Sequence, residues 1–198
     1  MGSYGNYWKL KNANWSNVEN GIESKYINDA AVNKTFNGKL EFCFVGRYAK
    51  HQNIECLVEA MDYIKNKHVI KLHFIGTGLE NIAKNISKKD IEVINHGYLN
   101  RDALLNVLNQ SHVGLICGTP PYQSCMKLHD YALTSCLVLA PMVNNLKIRF
   151  ENSLLFFDRT TIPEESYPRY SSRFKPSNSS LVISKFVIPP TIPHIKLS

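Results

Sequence analysis

Arg47 follows directly on Gly46 at the end of the apolar run "LEFCFV" (40–45), and Lys50 stands three residues further on. A glycine at a strand end lets backbone or ligand come close, and an arginine there aims a planar fork of donors into the crevice above the strands. A second group lies in "YQSCMKLHDYALTSCLVLAP" (122–141), where Ser124 suits the N-cap of a helix whose first N–H groups would face an anion. Lys127 and Asp130, three residues apart, share one face of that helix in its first two turns. A cation and a carboxylate beside a helix start suit a ligand with a phosphate and vicinal hydroxyls. Taken singly, each group is more simply read as ordinary structure: a strand-to-helix turn with a solvated Arg, and an amphipathic core helix with a surface Lys–Asp pair.

The elements that must hold these residues alternate regularly. Strand-like runs are "LEFCFV" (40–45), "IKLHFIG" (70–76), "IEVINH" (91–96), "HVGLIC" (112–117) and "CLVLAP" (136–141), with "SLLFF" (153–157) as a sixth. Helix-like runs occupy about 53–66, 79–87, 101–110 and 124–134. This is the spacing of βαβ units, and the near-continuous apolar strands fit a parallel sheet buried on both faces by helices. Ligands of such sheets bind beyond the carboxyl ends of the strands. Those ends are Gly46-Arg47, Gly76-Thr77-Gly78, His96-Gly97-Tyr98 and Cys117-Gly118, so glycine at every exit leaves room for a phosphate-sized group on one rim. Residues 39–159 therefore read as one α/β domain. Residues 1–38 form a polar lead-in rich in Asn and Tyr, with a short helical piece near "DAAVNK". Six of the nine prolines fall after Ile162, and "IPPTIPH" suits neither a helix interior nor a central strand, so 160–198 reads as a loosely ordered tail.

Composition narrows the partners. The 198 residues suffice for one domain with a real core, and 44% hydrophobic with 20% charged residues is a globular balance. No apolar run approaches the roughly 18–20 residues that span a bilayer. Met1 to Leu10 lacks the basic-then-apolar order of a secretory signal, so a cytoplasmic location follows by default, with at most peripheral membrane contact. The net charge of +7 is spread along the chain without an RNA-binding aromatic signature or zinc-finger spacing, which argues against nucleic acid and leaves an anionic small ligand. Five cysteines without a CxxC, and seven histidines without HExxH, imply reduced thiols and no protein-held metal.

In order and spacing, residues 18–158 resemble the C-terminal half of the group 1, glycogen-synthase-like, retaining glycosyltransferases of the GT-B fold. "VENGIESKYI" (18–27) resembles the family's "NGID…F" segment, and "FCFVGRYAKHQNIECLVEAM" its "FVGRL…KNI..LIEA" strand, loop and helix. "LHFIGTG" matches "L.IIG.G", and "IEVINHGYLNRDALLNVLNQSHVGLI" matches "I.F.G……L…L..S.V.L". "MKLHDYALTSCLVLAP" resembles "KLFEYLAAGKPVLA", and "ENSLLFFD" resembles "ENGLLF". No one motif is specific; the ordered series is.

The resemblance implies a Rossmann-like domain that holds a nucleoside-diphosphate sugar and needs no cofactor. On that basis Arg47 pairs with the diphosphate, Lys127 is a second cation, and the backbone around Gln123, Ser124 and Cys125 adds donors. Asp130 stands where the family's second motif glutamate meets the ribose hydroxyls. The base and sugar lie near Gly46, Gly76 and Gly78, and near Gly97, Tyr98 and Leu99. The sequence also departs from the pattern. Gln52 stands at the family's second diphosphate cation, for which Lys50 is a substitute from another point of the loop. Tyr122 replaces the first glutamate of the paired-acid motif, and Ser135 and Leu137 replace a helix-end Gly and Pro. The family's acceptor-binding N-terminal domain has no counterpart in these residues, so the expectation is a donor-binding half inactive alone and completed by a separate acceptor-binding domain or chain. The rival expectations are a non-catalytic nucleotide-sugar-binding or assembly subunit, a decayed remnant, and a phospho-receiver. Gly46-Arg47 and His96-Gly97 argue against the receiver, which needs acids at the corresponding strand ends.

Overall fold

The computed structural model describes residues 22, 24–26, 34–36, 38–64, 69–89, 91–120, 123–150, 153–157 and 195–197. Six strands form one parallel sheet in the order β4-β3-β2-β5-β6-β7. They are β2 (Lys39–Val45), β3 (Val69–Ile75), β4 (Glu92–Asn95), β5 (Val113–Leu115), β6 (Leu137–Pro141) and β7 (Leu155–Phe157). The last is the sixth strand expected at "SLLFF".

Alternation along each strand divides the sheet's side chains between two cores. Phe42 and Phe44 of β2, with Leu72 and Phe74 of β3, pack beneath α1 (Cys56–Ile64) and α2 (Glu80–Ser87). Cys43, Ile75, Val138 and Ala140 point the other way, against α3 (Arg101–Gln110), α4 (Met126–Leu133) and α5 (Asn144–Phe150). Strand order reverses between β2 and β5, because α1 and α2 cross one face and α3 returns across the other. The carboxyl ends of β2 and β5 therefore diverge, which opens a crevice at this switch point.

Tyr131 of α4 occupies the split. The β2–β5 ladder ends at Phe44 and Leu115, while Ile116 N turns to Leu139 O at 2.9 Å. The fully buried Tyr131 hydroxyl donates to Leu115 O at 3.1 Å and accepts from Val45 N at 3.1 Å, so it serves backbone groups the diverging strands no longer serve for each other. Its ring lies over Gly114, where a Cβ would come within 2.4 Å of the ring's Cγ.

Three local differences from the sequence expectations stand out. Helix α4 begins at Met126, not near Ser124; Cys125 holds the N-cap position with an N-terminal φ/ψ of −93°/88° and no side-chain cap. Asn145 Nδ2 donates to Gln123 O at 3.0 Å, which holds the chain extended before the helix. Helix α5 was not foreseen. Strand β1 (Lys34–Phe36) pairs in parallel with β8 (Ile195–Leu197), so one point of the expected tail and one of the lead-in form a second, two-stranded sheet. Lys34 of β1 is buried at the carboxyl end of α3, where it donates to Leu108 O at 2.9 Å, to Ser111 O, and to Cys136 Sγ at 3.1 Å. Most of "DAAVNK", most of the 160–198 segment, and Tyr122 lie outside the described residues.

Candidate functional site

The strand exits are stitched together backbone to backbone. Gly46 N donates to Ile75 O at 2.9 Å, Gly76 N to Gly97 O at 2.8 Å, and Tyr48 N to Thr77 O at 2.8 Å. Gly76 has φ 138°, and a Cβ there would lie 2.1 Å from Gly46 O, so only glycine lets these two exits touch. A Cβ on Gly118 would lie 2.6 Å from His51 O, which presses the β5 exit against the loop that follows β2. The loops after four different strands thus make one continuous rim.

Cations collect on it. Arg47 is exposed directly after Gly46, and its carbonyl accepts from Gln52 Nε2 at 3.1 Å. Lys127 reaches from α4 to the same loop: Nζ donates to Gln52 Oε1 at 2.6 Å and lies 4.2 Å from the centroid of the buried Phe44 ring. A Cβ on Gly46 would sit 3.3 Å from that Nζ. Burial holds the Lys127 ammonium below the usual lysine range, against an opposing pull from the nearby Cys125 and Cys117. His51 is held below the usual imidazole value by burial, then by Lys127 and Arg47, which places all three groups in one field. Lys50 is exposed and opens the short 3-10 turn Lys50–Gln52.

The expected ribose carboxylate has a protein partner. Asp130 Oδ1 accepts from Arg101 Nη1 at 2.5 Å, and the Arg101 guanidinium lies 5.1 Å from the Tyr26 ring centroid. This pair ties α4 to the first residue of α3, as Lys127 ties α4 to the loop after β2. On the β4 side Gly97 has φ 64°, Tyr98 is 82% exposed, and Leu99 packs against the second core. Asn100 Oδ1 caps α3 by accepting from Ala103 N at 2.9 Å. Ser124 and Cys125 flank the start of α4, and burial pushes the Cys125 thiol up, so it stands as a neutral group.

Sequence reasoning missed His51, Arg101 and Tyr131. A glycine inside the strand pattern "HVGLIC" was the one signal of a close approach, and Tyr131 is what approaches. The Gln52–Lys127 bond joins residues 75 apart and left no local trace.

The family profile described as "Glycosyl transferases group 1" matches residues 27–120. The matched stretch is just under half of the 198 residues, and over it the chain is similar to the group 1 glycosyltransferases. The matched stretch contains Arg47, Lys50 and the Gly76 and Gly97 exits, and it ends before Lys127 and Asp130. Among solved structures, an S. aureus TarM mutant in complex with Fondaparinux, alpha-GlcNAc-glycerol and UDP shares 18% identity at a TM-score of 0.60, over 77% of this chain and 31% of its own. WaaG, a glycosyltransferase involved in lipopolysaccharide biosynthesis, shares 11% at 0.51, over 66% of this chain and 36% of its own. Anabaena HepE in complex with UDP-glucose shares 10% at 0.51, over 61% and 35%. At these identities the likeness is one of fold, that of the Rossmann-like half of GT-B glycosyltransferases. The chain spans about a third of the length of these three structures. No curated protein matches it. Among the described residues, no helix is long and apolar enough to cross a membrane.

Proposed function

We propose that this domain holds the nucleoside-diphosphate sugar of a retaining hexosyl transfer, with the diphosphate over Gly46. The supporting observation is that Lys127 of α4 reaches Gly46, the residue before Arg47, beside the switch point of a parallel sheet, and that both cations act on His51. Arg47 gives the diphosphate a bidentate fork. Lys127, bound only by a neutral amide oxygen and a ring face among the described residues, retains donors for a second oxygen and stabilises the departing diphosphate electrostatically. Lys50 is close enough in sequence to join them, and the backbone of Ser124 and Cys125 opens toward the same anion. In this reading Asp130 is oriented by Arg101 and keeps its second oxygen for a ribose hydroxyl. Gly76, Gly78, Gly97, Tyr98 and Leu99 border the base and sugar. The five free cysteines suit a reducing, cytoplasmic setting.

Transfer also needs an acceptor wall. Orientation of donor and acceptor supplies roughly 7–11 kcal/mol of such a barrier, and one Rossmann-like half offers the donor no opposing surface. We therefore expect these 198 residues to bind donor and to transfer nothing unless an acceptor-binding domain is supplied. A radiolabelled-donor assay with and without such a domain checks this, beside calorimetry against a panel of nucleoside diphosphates. Absence of any nucleoside diphosphate binding at millimolar concentration sinks the donor-site reading. The second reading, a non-catalytic binding or assembly subunit, draws on Gln52, which occupies Lys127 where the family resemblance puts another cation. Its signature is binding without transfer even with the acceptor domain present.

A further inference from the structure

On the α3 face of the sheet, toward the β4 edge, three side chains from three adjacent strands form a hydrogen-bonded chain. Glu41 Oε2 of β2 lies 2.9 Å from His73 Nε2 of β3, and His73 Nδ1 lies 2.9 Å from His96 Nε2, just past β4. The two imidazoles are nearly parallel, 13° apart, with centroids 5.2 Å from each other. His73 is buried at 2% exposure, whereas His96 is half-buried and belongs to the rim, since the next residue's carbonyl accepts from Gly76 N. A carboxylate can only accept, so His73 carries its proton on Nε2 and leaves Nδ1 bare. His96 must then donate from Nε2, which leaves its own Nδ1 a lone pair. Among the described residues no hydrogen-bond partner meets that nitrogen.

We propose that Glu41 and His73 are positioning residues that fix the tautomer of His96, so that His96 Nδ1 accepts a hydrogen bond from an N–H or O–H group of the bound nucleotide sugar. This rests on the donor-site reading above. The pairing costs a half-buried carboxylate, a buried imidazole and a half-buried one in a sheet that could have been apolar there, as it is across β5 and β6. The strand ladder needs none of these side chains. The chain runs from the interior to the rim and stops at an acceptor. Burial holds both imidazoles below their usual value, and Lys71 lowers both further. Glu41 and Glu92 oppose this at His73, and Glu92 is itself paired with Lys39 and Lys71. Both rings are therefore neutral at neutral pH, as an acceptor requires. A proton added on acidification lands on Nδ1 and turns the acceptor into a donor.

Two measurements test this on the full chain. Nitrogen-15 NMR of the imidazoles should show His96 as a single neutral tautomer, protonated on Nε2; a proton on Nδ1 at neutral pH overturns the proposal. Calorimetry then compares UDP-glucose and UDP with pyrophosphate, which reports the cations alone. Asparagine places its oxygen where imidazole carries Nδ1, whereas glutamine reaches only the position of Nε2. One neutral hydrogen bond corresponds to about a two- to tenfold change in affinity. His96→Gln should lose about that much UDP-glucose affinity, His96→Asn should retain it, and neither should alter pyrophosphate binding. Equal effects, or retention by glutamine instead, would mean that His96 serves only the relay. Ring-N-methylated UDP and UDP-glucose locate the ligand donor on the base or on the sugar. If neither UDP nor pyrophosphate binds, the donor-site reading and this contact fail together; if pyrophosphate binds and the variants do not separate, only the contact fails.

Discussion

Two lysines are drawn out of water in this domain, at opposite ends of the sheet, and they are treated differently. Lys34 lies at the carboxyl end of α3 with three acceptors: the carbonyls of Leu108 and Ser111 and the sulfur of Cys136. A hydrogen bond with Cys43, then the Lys34 ammonium, holds that thiol down at about 6, so the cation faces a group ready to become its counter-charge. Lys127 has one amide oxygen and the face of Phe44. The first lysine is satisfied by the fold. The second is held at a glycine-lined opening with donors to spare, which is how a cation waits for an anion supplied from outside.

The contrast breaks first in stability. Lys34→Met removes the cation that Leu108 O, Ser111 O and the Cys136 sulfur accept from, and a hydrogen bond to a charged group is worth about 1.5–3 kcal/mol. Denaturant unfolding should show that loss for Lys34→Met and little or none for Lys127→Met, which removes a poorly solvated charge. Equal destabilisation by the two would erase the distinction. Binding sharpens it in the opposite sense: Lys127→Met and Arg47→Ala should each lose about 1.5–3 kcal/mol of nucleoside diphosphate affinity, the worth of a charge-assisted contact. Unchanged calorimetric affinity in Arg47→Ala would make that arginine a solvated turn residue.

The smallest effect is on pH. Burial, then Lys127 and Arg47, keep the His51 imidazole below its usual value, and a bound diphosphate offsets the field of the two cations and raises it. A group whose pKa rises on binding takes up protons, so affinity should strengthen as pH falls through the bound-state value. The slope should disappear in His51→Gln. A flat profile in the parent chain would place the diphosphate away from His51.

How far the sequence reached follows from the range of the interactions. Strands expected at 40–45, 70–76 and 136–141 lie at 39–45, 69–75 and 137–141, because runs buried on both faces announce themselves locally. The glycine exits were equally legible, since each stands at the end of its own run. Helix α5 has seven residues, too few for a period to register, and the start of α4 is set by Asn145 holding Gln123 from outside the segment. Lys34 reads as one more lysine of a polar lead-in, because its partners lie 74 to 102 residues away. At the site, Arg47 and Lys127 could each be singled out by type, but nothing in the chain order says that Lys127 reaches the glycine before Arg47, or that Arg101 claims Asp130.

The phenol of Tyr131 acts as a spacer. Its ring needs the slot that Gly114 leaves, and its hydroxyl reaches Leu115 on one strand and Val45 on the other. The gap between those two strand ends is thus gauged by the length of one side chain, and the mouth of the crevice inherits that gauge. Ring and slot form one unit: a methyl group added at 114 cannot be absorbed unless the ring at 131 is cut back with it. The aperture of the rim is therefore decided inside the core by a residue that touches nothing in the crevice.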